Sequence, residues 1–399
     1  MRALGPVLIA GAGVGGLTAA LALHQHGIPV VVYERREYQQ ITGAAGFGHT
    51  IWSNATTSLA RLGLTERMLD IGELLTEARS YTPDGATMFR TEIAPTLWPG
   101  ATPALGIGRG DLIAMLHDAC VERGIPVHYG RAVRGYEQQP DAVTVKLDDG
   151  ESVTGAALVG ADGIRSAVLA QLHGGTPVID THRSTYRGIA NGTCGLHRGV
   201  VNLFSDPVAG IGGGAWQIGH NRVVWTISFP HTAGDTGETE PLRAAARATE
   251  LARGLGPVPR ALVANTPPET VSLTPLLYLD WLPRWGDGLV MLLGDAAHAM
   301  PTDLGQGACQ AIEDGIVFGD ALASAPDVRV GLARYEQRRR PRVTWIRTRV
   351  LRVNGFKPIH NPALRWVVTR IAKVVIAATA TKMWREIQRP PELVAGPTG

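Results

Sequence analysis

A carboxylate, a pair of glycines and a helix start are grouped in LLGDAAHAMPTDLGQGACQAIEDG, residues 292–315. Asp295 follows an apolar run through Gly294, so its carboxylate can accept hydrogen bonds from a polyol chain at a strand end. Gly305-Gln306-Gly307 precedes a helical pattern that runs to about Ala323. The first N–H groups of such a helix face outward and favour an anion. Glycine there also lets a flat ring lie directly on the backbone. A polyol acceptor beside donors for a developing negative charge suits a ribityl-bearing ring whose reduced form is anionic at its N1–C2 edge. That combination points to FAD.

The second chemistry-bearing stretch is GAGVGG, Gly11–Gly16, after the apolar run Val7–Ala10. Its spacing gives Gly11 the tight turn, Gly13 the close approach to a pyrophosphate, and Gly16 the helix–strand contact. Glu34 ends the next β-branched run, where a carboxylate can accept from a ribose hydroxyl. Its charge would repel a 2′-phosphate, so a resident NADP is not expected. Ala12, Val14 and Gly15 complete the loop, and Arg35 adjoins the acid. A glycine turn that merely packs a helix on a sheet is the competing reading. Strand, glycines, helix and acid in the right order favour binding.

The elements that position these residues follow from periodicity. Val7–Ala10 and Val30–Tyr33 read as buried parallel strands around a helix over 17–26, a βαβ start. A second helix is expected over 112–122 with Asp111 as its N-cap. Ile125–Tyr129 returns as a strand. Val143–Leu147 and Glu151–Thr154 flank a hairpin turn at Asp148-Asp149-Gly150. Ala157–Gly160 leads into ADGIRS, and Leu289–Leu293 is again a buried strand. From about 181 to 271 alternating segments such as Arg222–Phe229 predict antiparallel strands. Two further helices are expected to close the chain. The expected fold is α/β, a Rossmann-like cofactor domain with an inserted, mainly antiparallel substrate domain and C-terminal helices. The cofactor domain is drawn over 1–72, 101–180 and 272–350, the insert over 73–100 and 181–271, and a helical tail over 351–399.

Composition narrows the class. A net charge of +3 is too weak to imply a nucleic-acid partner. Much of the basic excess lies between Arg334 and Arg352, read as a solvated arginine-rich helix face. Three widely spaced cysteines, Cys120, Cys194 and Cys309, make neither a disulfide framework nor a metal site and suit a reducing cytoplasm. No run reaches the roughly 18 apolar residues of a membrane span. Val374–Ala380, flanked by Lys373 and Lys382, reads as a packed amphipathic segment. Oligomeric state is not specified by any of these patterns.

GAGVGG with Glu34, then GADGIRS at Gly160–Ser166, then GDAAHAMPTDLGQGACQAIEDG resemble the three fingerprints of class A flavoprotein monooxygenases. The form GQGACQAIEDG is most similar to the branch with salicylate hydroxylase-like, urate hydroxylase-like and zeaxanthin epoxidase-like enzymes. The resemblance implies FAD, reduced by NADH or NADPH. It implies insertion of one atom of O2 into an electron-rich small molecule through a flavin C4a-hydroperoxide. It also implies that Arg109 serves the phosphate–ribityl region, Val133 lies near the adenine, and Asp162 and Gly163 serve both nucleotides. Pro301, Asp295, Gly305 and Gly307 would surround the flavin. Two positions depart from the pattern: Leu169 replaces a frequent arginine, and Thr302 a frequent proline.

Substrate contacts are harder to read. Tyr186 and Arg187 open the insert, where the arginine could pair with a carboxylate or phenolate; Trp216, Gln217 and Trp225 are candidate pocket walls. Core packing is the alternative for all five. His49, after Gly46-Phe47-Gly48, is the one candidate base, and His298 reads as structural. Rival readings are an alkene epoxidase, a halogenase or a dehydrogenase of the same fold, or a non-catalytic carrier. A halogenase is disfavoured because Gly214-Ala215-Trp216-Gln217-Ile218-Gly219 only partly echoes WxWxIP.

Overall fold

Val7–Ala10 is buried at every position and forms an inner strand of a six-stranded sheet. In this computed structural model, which describes residues 5–43, 47–93, 98–206, 208–232, 236–354 and 382–390, it pairs in parallel with Val30–Tyr33 and with Ala157–Gly160. Val127–His128 extends the sheet on one side and Val290–Leu292 on the other, both in parallel. Gly286–Asp287 adds an antiparallel edge. Continuous apolar runs suit strands covered on both faces. The carboxyl ends of the parallel strands line one edge, so the glycine loop, Glu34, ADGIRS and Asp295 meet there from distant parts of the chain.

Helix Val14–Gln25 and helix Gly307–Ala323 pack backbone to backbone. A methyl group on Gly315 would stand 2.7 Å from the Ala19 nitrogen, and one on Gly319 2.8 Å from Ala22 Cβ. Close approach of this kind leaves no space for side chains.

A seven-stranded sheet holds, in spatial order, Ser272–Leu279, Val178–Asn191, Arg222–Pro230, Ile211–Gln217, Val200–Asp206, Glu77–Tyr81 and Thr87–Glu92. All its pairings are antiparallel except Val200–Asp206 with Glu77–Tyr81. Helices Pro241–Ala252 and Pro257–Ala264 contribute to a second apolar core with this sheet. The α/β class, with a mainly antiparallel second sheet, is the one expected.

Several details differ from the expectation. Ser272–Leu279 and the start of Val178–Asn191 belong to the large sheet, so that sheet reaches past the boundaries drawn at 181 and 271. The helix expected from 112 begins at Arg109 with Gly108 as its N-cap. Asp111 lies in its first turn and accepts from Arg222 Nη2 at 2.5 Å. The arginine-rich stretch forms one helix, Val328–Asn354. It is not solvated throughout: Arg339 and Arg347 are 2% and 1% exposed. Residues 382–387 are helical, whereas Val374–Ala380 and most of the expected tail lie outside the described residues. Among the described residues no helix is long and apolar enough to cross a membrane.

Candidate active site

The glycine loop is shaped by contacts that exclude a side chain at two positions and by open space at a third. Gly11 has φ +109°, and a Cβ there would collide with the Ala161 carbonyl oxygen. A Cβ on Gly16 would collide with the Gly11 carbonyl oxygen. Gly13 has no atom within 4 Å of where its Cβ would stand, so its backbone faces free space at the start of the helix. Glu34, 5% exposed, accepts from the Ala12 amide at 2.9 Å and from the Arg36 amide at 3.0 Å. A carboxylate has about four acceptor sites, so capacity for a ligand hydroxyl remains. Arg35 itself is exposed.

Asp295 is open to solvent yet deeply surrounded by protein, as a group on the floor of a cleft is. Burial pushes its carboxyl above the ordinary range, against the pull of His298 and Arg109. Asp295 Oδ1 lies 3.8 Å from where a Cβ on Gly307 would be, placing the acid at the first turn of Gly307–Ala323. Gly305 is left-handed, φ +61°, and a Cβ there would run into Thr50 Oγ1. Pro301, ahead of the short turn Thr302–Leu304, is buried. Arg109 is half-buried, donates to the Ile41 carbonyl at 3.3 Å, and has no carboxylate within 4 Å among the described residues. Burial and the nearby Arg36 lower its pKa, while Glu34 and Asp295 act from a distance to hold its charge. Such a cation calls for an anion.

Asp162 follows Ala157–Gly160 and accepts from the Ala167 amide at 2.8 Å, leaving its buried Oδ1 without a partner. Gly163, at φ +85°, has open space around it. Val133 starts a strand and is buried, two residues after Arg131, whose amide donates to the Glu34 carbonyl at 2.8 Å.

The rest of the GQG motif supports this floor from behind. Arg339 donates to Asp314 Oδ1 at 2.6 Å, to Glu313 Oε2 at 2.5 Å and to Gln310 Oε1 at 2.7 Å. Asp314 Oδ2 meets His298 Nε2 at 2.6 Å and accepts from the Gly294 amide at 3.0 Å. Asn54 donates to Glu313 Oε1 at 2.5 Å and to Gln306 Oε1 at 3.2 Å. Burial opposes ionisation of Asp314, but His298 and Arg339 outweigh it and hold the pKa at about 2. His298 thus orients the turn that presents Asp295.

The large sheet separates the five candidate substrate residues onto its two faces. Strand period 2 sends Tyr186 and Arg187 opposite ways. Tyr186 is fully buried, stacks on Phe229 at 5.1 Å and accepts from the Glu238 amide at 2.9 Å. Trp225 is 2% exposed and donates to Thr266 Oγ1 at 2.7 Å. Both belong to the second core. Gln217 is opposite Val223, a member of the same core. Tyr186 and Trp225 thus pack in the second core, and Gln217 shares their face with its buried Oε1 lacking a hydrogen-bond partner among the described residues. Trp216 faces the other way, against Gly106 and the first core. Arg187 lies 5.0 Å from the centroid of the Phe47 ring, with its Nε unpartnered. Burial alone lowers its pKa to about 10. His49 is enclosed nearby, and burial with Arg109 and Arg187 lowers its pKa to about 3. An imidazole so depressed stays neutral and is a weak base. Gly46 lies outside the described residues.

The family model described as "FAD binding domain" matches residues 5–350. The chain belongs to this family. The aurachin C monooxygenase/isomerase of Stigmatella aurantiaca is 30% identical over 372 residues, covering 92% of this chain and 94% of the relative. The FAD-dependent urate hydroxylase of Klebsiella pneumoniae is 30% identical over 350 residues, 84% of this chain and 86% of that one. The crystal structure of Klebsiella pneumoniae HpxO complexed with FAD and uric acid superposes with a TM-score of 0.84 at 25% identity, covering 99% and 98% of the two chains. This member of the FAD binding domain family is an FAD-dependent monooxygenase.

The residues present fit that cofactor. Open space at Gly13, Arg109 with no carboxylate within 4 Å among the described residues, the orphaned Asp162 Oδ1 and a cleft-floor Asp295 make a polar trough suited to a phosphate-rich, hydroxylated ligand. Sequence reasoning missed Arg36, which braces Glu34, and the Arg339–Glu313–Asp314–Asn54 network. The IEDG end of the motif signalled the acids, but nothing local signalled their partner arginine.

Proposed function

We propose that this monooxygenase consumes NADH or NADPH and O2 to place one oxygen atom on an electron-rich aromatic small molecule that carries an anionic or phenolate group. One observation carries this reading: Arg187 is a deeply set cation, with no carboxylate within 4 Å among the described residues, on the sheet face turned toward His49 and Arg109. With a pKa of about 10 it stays charged at neutral pH, and an anionic substrate supplies the missing counter-ion.

FAD, when bound, supplies acceptance of a hydride and activation of oxygen. Glu34 and Asp295 accept from its hydroxyls, and Arg109 meets its phosphates. The N-terminal amides of Gly307–Ala323 stabilise negative charge on its ring. Arg187 and the Phe47 ring orient the substrate, and His49 serves as a neutral hydrogen-bonding group. The proposed division gives the six-stranded sheet to the cofactor and the seven-stranded sheet, over about 73–100 and 178–279, to the substrate. Three free thiols support a reducing cytoplasmic setting. The test is a screen of aromatic acids and phenols for stimulated NAD(P)H oxidation, with products identified by mass. Stimulation by neutral aromatics alone, or oxidation without an added oxygen atom, would overturn the reading.

A further inference from the structure

The bulge in strand Val178–Asn191 gathers three groups that neither the cofactor nor the substrate cleft uses. Its register breaks between Asp180 and Ser184, where His182 takes φ +56°. The His182 amide donates to Asp180 Oδ1 at 2.8 Å, and the His231 amide donates to the His182 carbonyl at 2.9 Å. These two hydrogen bonds tie the three backbones together across the bulge. Their ligand atoms lie within 4.8 Å of one another.

The His231 side chain is 1% exposed, and its Nδ1 contacts the Thr232 carbonyl at 3.0 Å. A carbonyl oxygen only accepts, so Nδ1 is the donor in that contact and Nε2 is the ring atom left to act as a ligand. Nε2 is buried without a hydrogen-bond partner and stands 3.3 Å from Asp180 Oδ1. An ion held by both atoms would stand between them. The separation also matches the roughly 3.3 Å between ligand atoms in a tetrahedral zinc site. His182 is exposed and its ring stands edge-on to that of His231 with centroids 6.1 Å apart, while the adjoining Arg183 is held by the Gly210 carbonyl at 3.0 Å.

We propose that Asp180, His182 and His231 bind one divalent transition-metal ion of the zinc type, leaving a fourth position for water. Two imidazoles and one carboxylate suit such an ion better than magnesium or calcium. The backbone-bonded Nδ1 is the outer support that orients a histidine ligand. The ion would clamp the bulged strand to the end of Arg222–Pro230.

The test is calorimetric titration of tag-free, FAD-loaded, chelator-stripped full chain with zinc chloride, with magnesium chloride as control. One equivalent should bind at micromolar or tighter Kd, with no response to magnesium. His182→Asn keeps a residue that tolerates positive φ, and Asp180→Asn keeps the side-chain shape. Each should weaken zinc at least about tenfold while flavin content stays unchanged. Absence of zinc binding, the result expected if His231 is doubly protonated and simply paired with Asp180, would overturn the proposal. So would equal binding by His182→Asn.

Discussion

The Ala12 amide donates to Glu34 Oε2 across 2.9 Å, so the acid that ends the second strand also holds the glycine loop. Its other oxygen takes the Arg36 amide at 3.0 Å. Glu34→Gln keeps the shape but turns an NH2 toward one of these donors. Hydrogen bonds to charged groups contribute about 1.5–3 kcal/mol. FAD affinity should therefore fall at least about tenfold, read by flavin fluorescence during titration of the apoprotein. Unaltered affinity would remove Glu34 from the cofactor site.

Asp295 gives a prediction with two opposite signs. Burial raises its native pKa above the ordinary value of 3.8. The folding penalty of ionising it is absent below that value and grows to its full size as pH rises through the raised native pKa. Asp295→Asn removes the penalty and weakens the polyol acceptor. At neutral pH the variant apoprotein should melt higher than the wild type yet retain less FAD. A variant with a lower apo melting temperature and normal flavin content would contradict this placement.

Arg339 faces two carboxylates that no solvent reaches. Arg339→Met takes the guanidinium from both carboxylates and leaves Asp314 to His298 and Glu313 to Asn54 and the more distant Arg342, a loss of about 3–5 kcal/mol. Asp314 adds a pH signature. Its native pKa of about 2 lies below 3.8. The stability it contributes, on the order of 2 kcal/mol, is present above 3.8 and lost as pH falls toward 2. Urea unfolding across an acid pH series measures both, and a loss below about 1 kcal/mol for Arg339→Met would deny the network a structural role.

The two faces of the large sheet are separable by kinetics. Tyr186→Phe and Trp225→Phe each remove a buried hydrogen bond. Each should cost about 1 kcal/mol of stability and leave KM within about twofold. Arg187→Met should raise KM for an anionic substrate about tenfold or more, with Arg187→Lys recovering part of the loss. A large KM change in Tyr186→Phe would return that residue to the pocket.

The contrast between Tyr186 and Arg187 also shows where sequence reading stops. Val7–Ala10, the glycine loop and Glu34 are legible because buried parallel strands and phosphate turns impose local composition. Neighbouring strand residues, however, always face opposite sides, and which side holds the pocket depends on what packs there. Tyr186 met Phe229 and the helices; Arg187 met Phe47. Arg339 was misread for a similar reason. A run of arginines looks solvated until Glu313 and Asp314, from the preceding helix, are brought beneath one of them.

The methyl-free contact of Gly315 and Gly319 with Ala19 and Ala22 has a consequence for biosynthesis. Helix Val14–Gln25 leaves the ribosome apolar on nearly every side, and its cover, Gly307–Ala323, is synthesised far later. Long-range pairing of this kind is slow, and the uncovered intermediate is prone to aggregate. A nascent chain cut before Gly294 would carry a complete phosphate loop but neither Asp295 nor the first amides of Gly307–Ala323. Flavin capture therefore waits until Gly307–Ala323 has been made and has docked on the earlier helix.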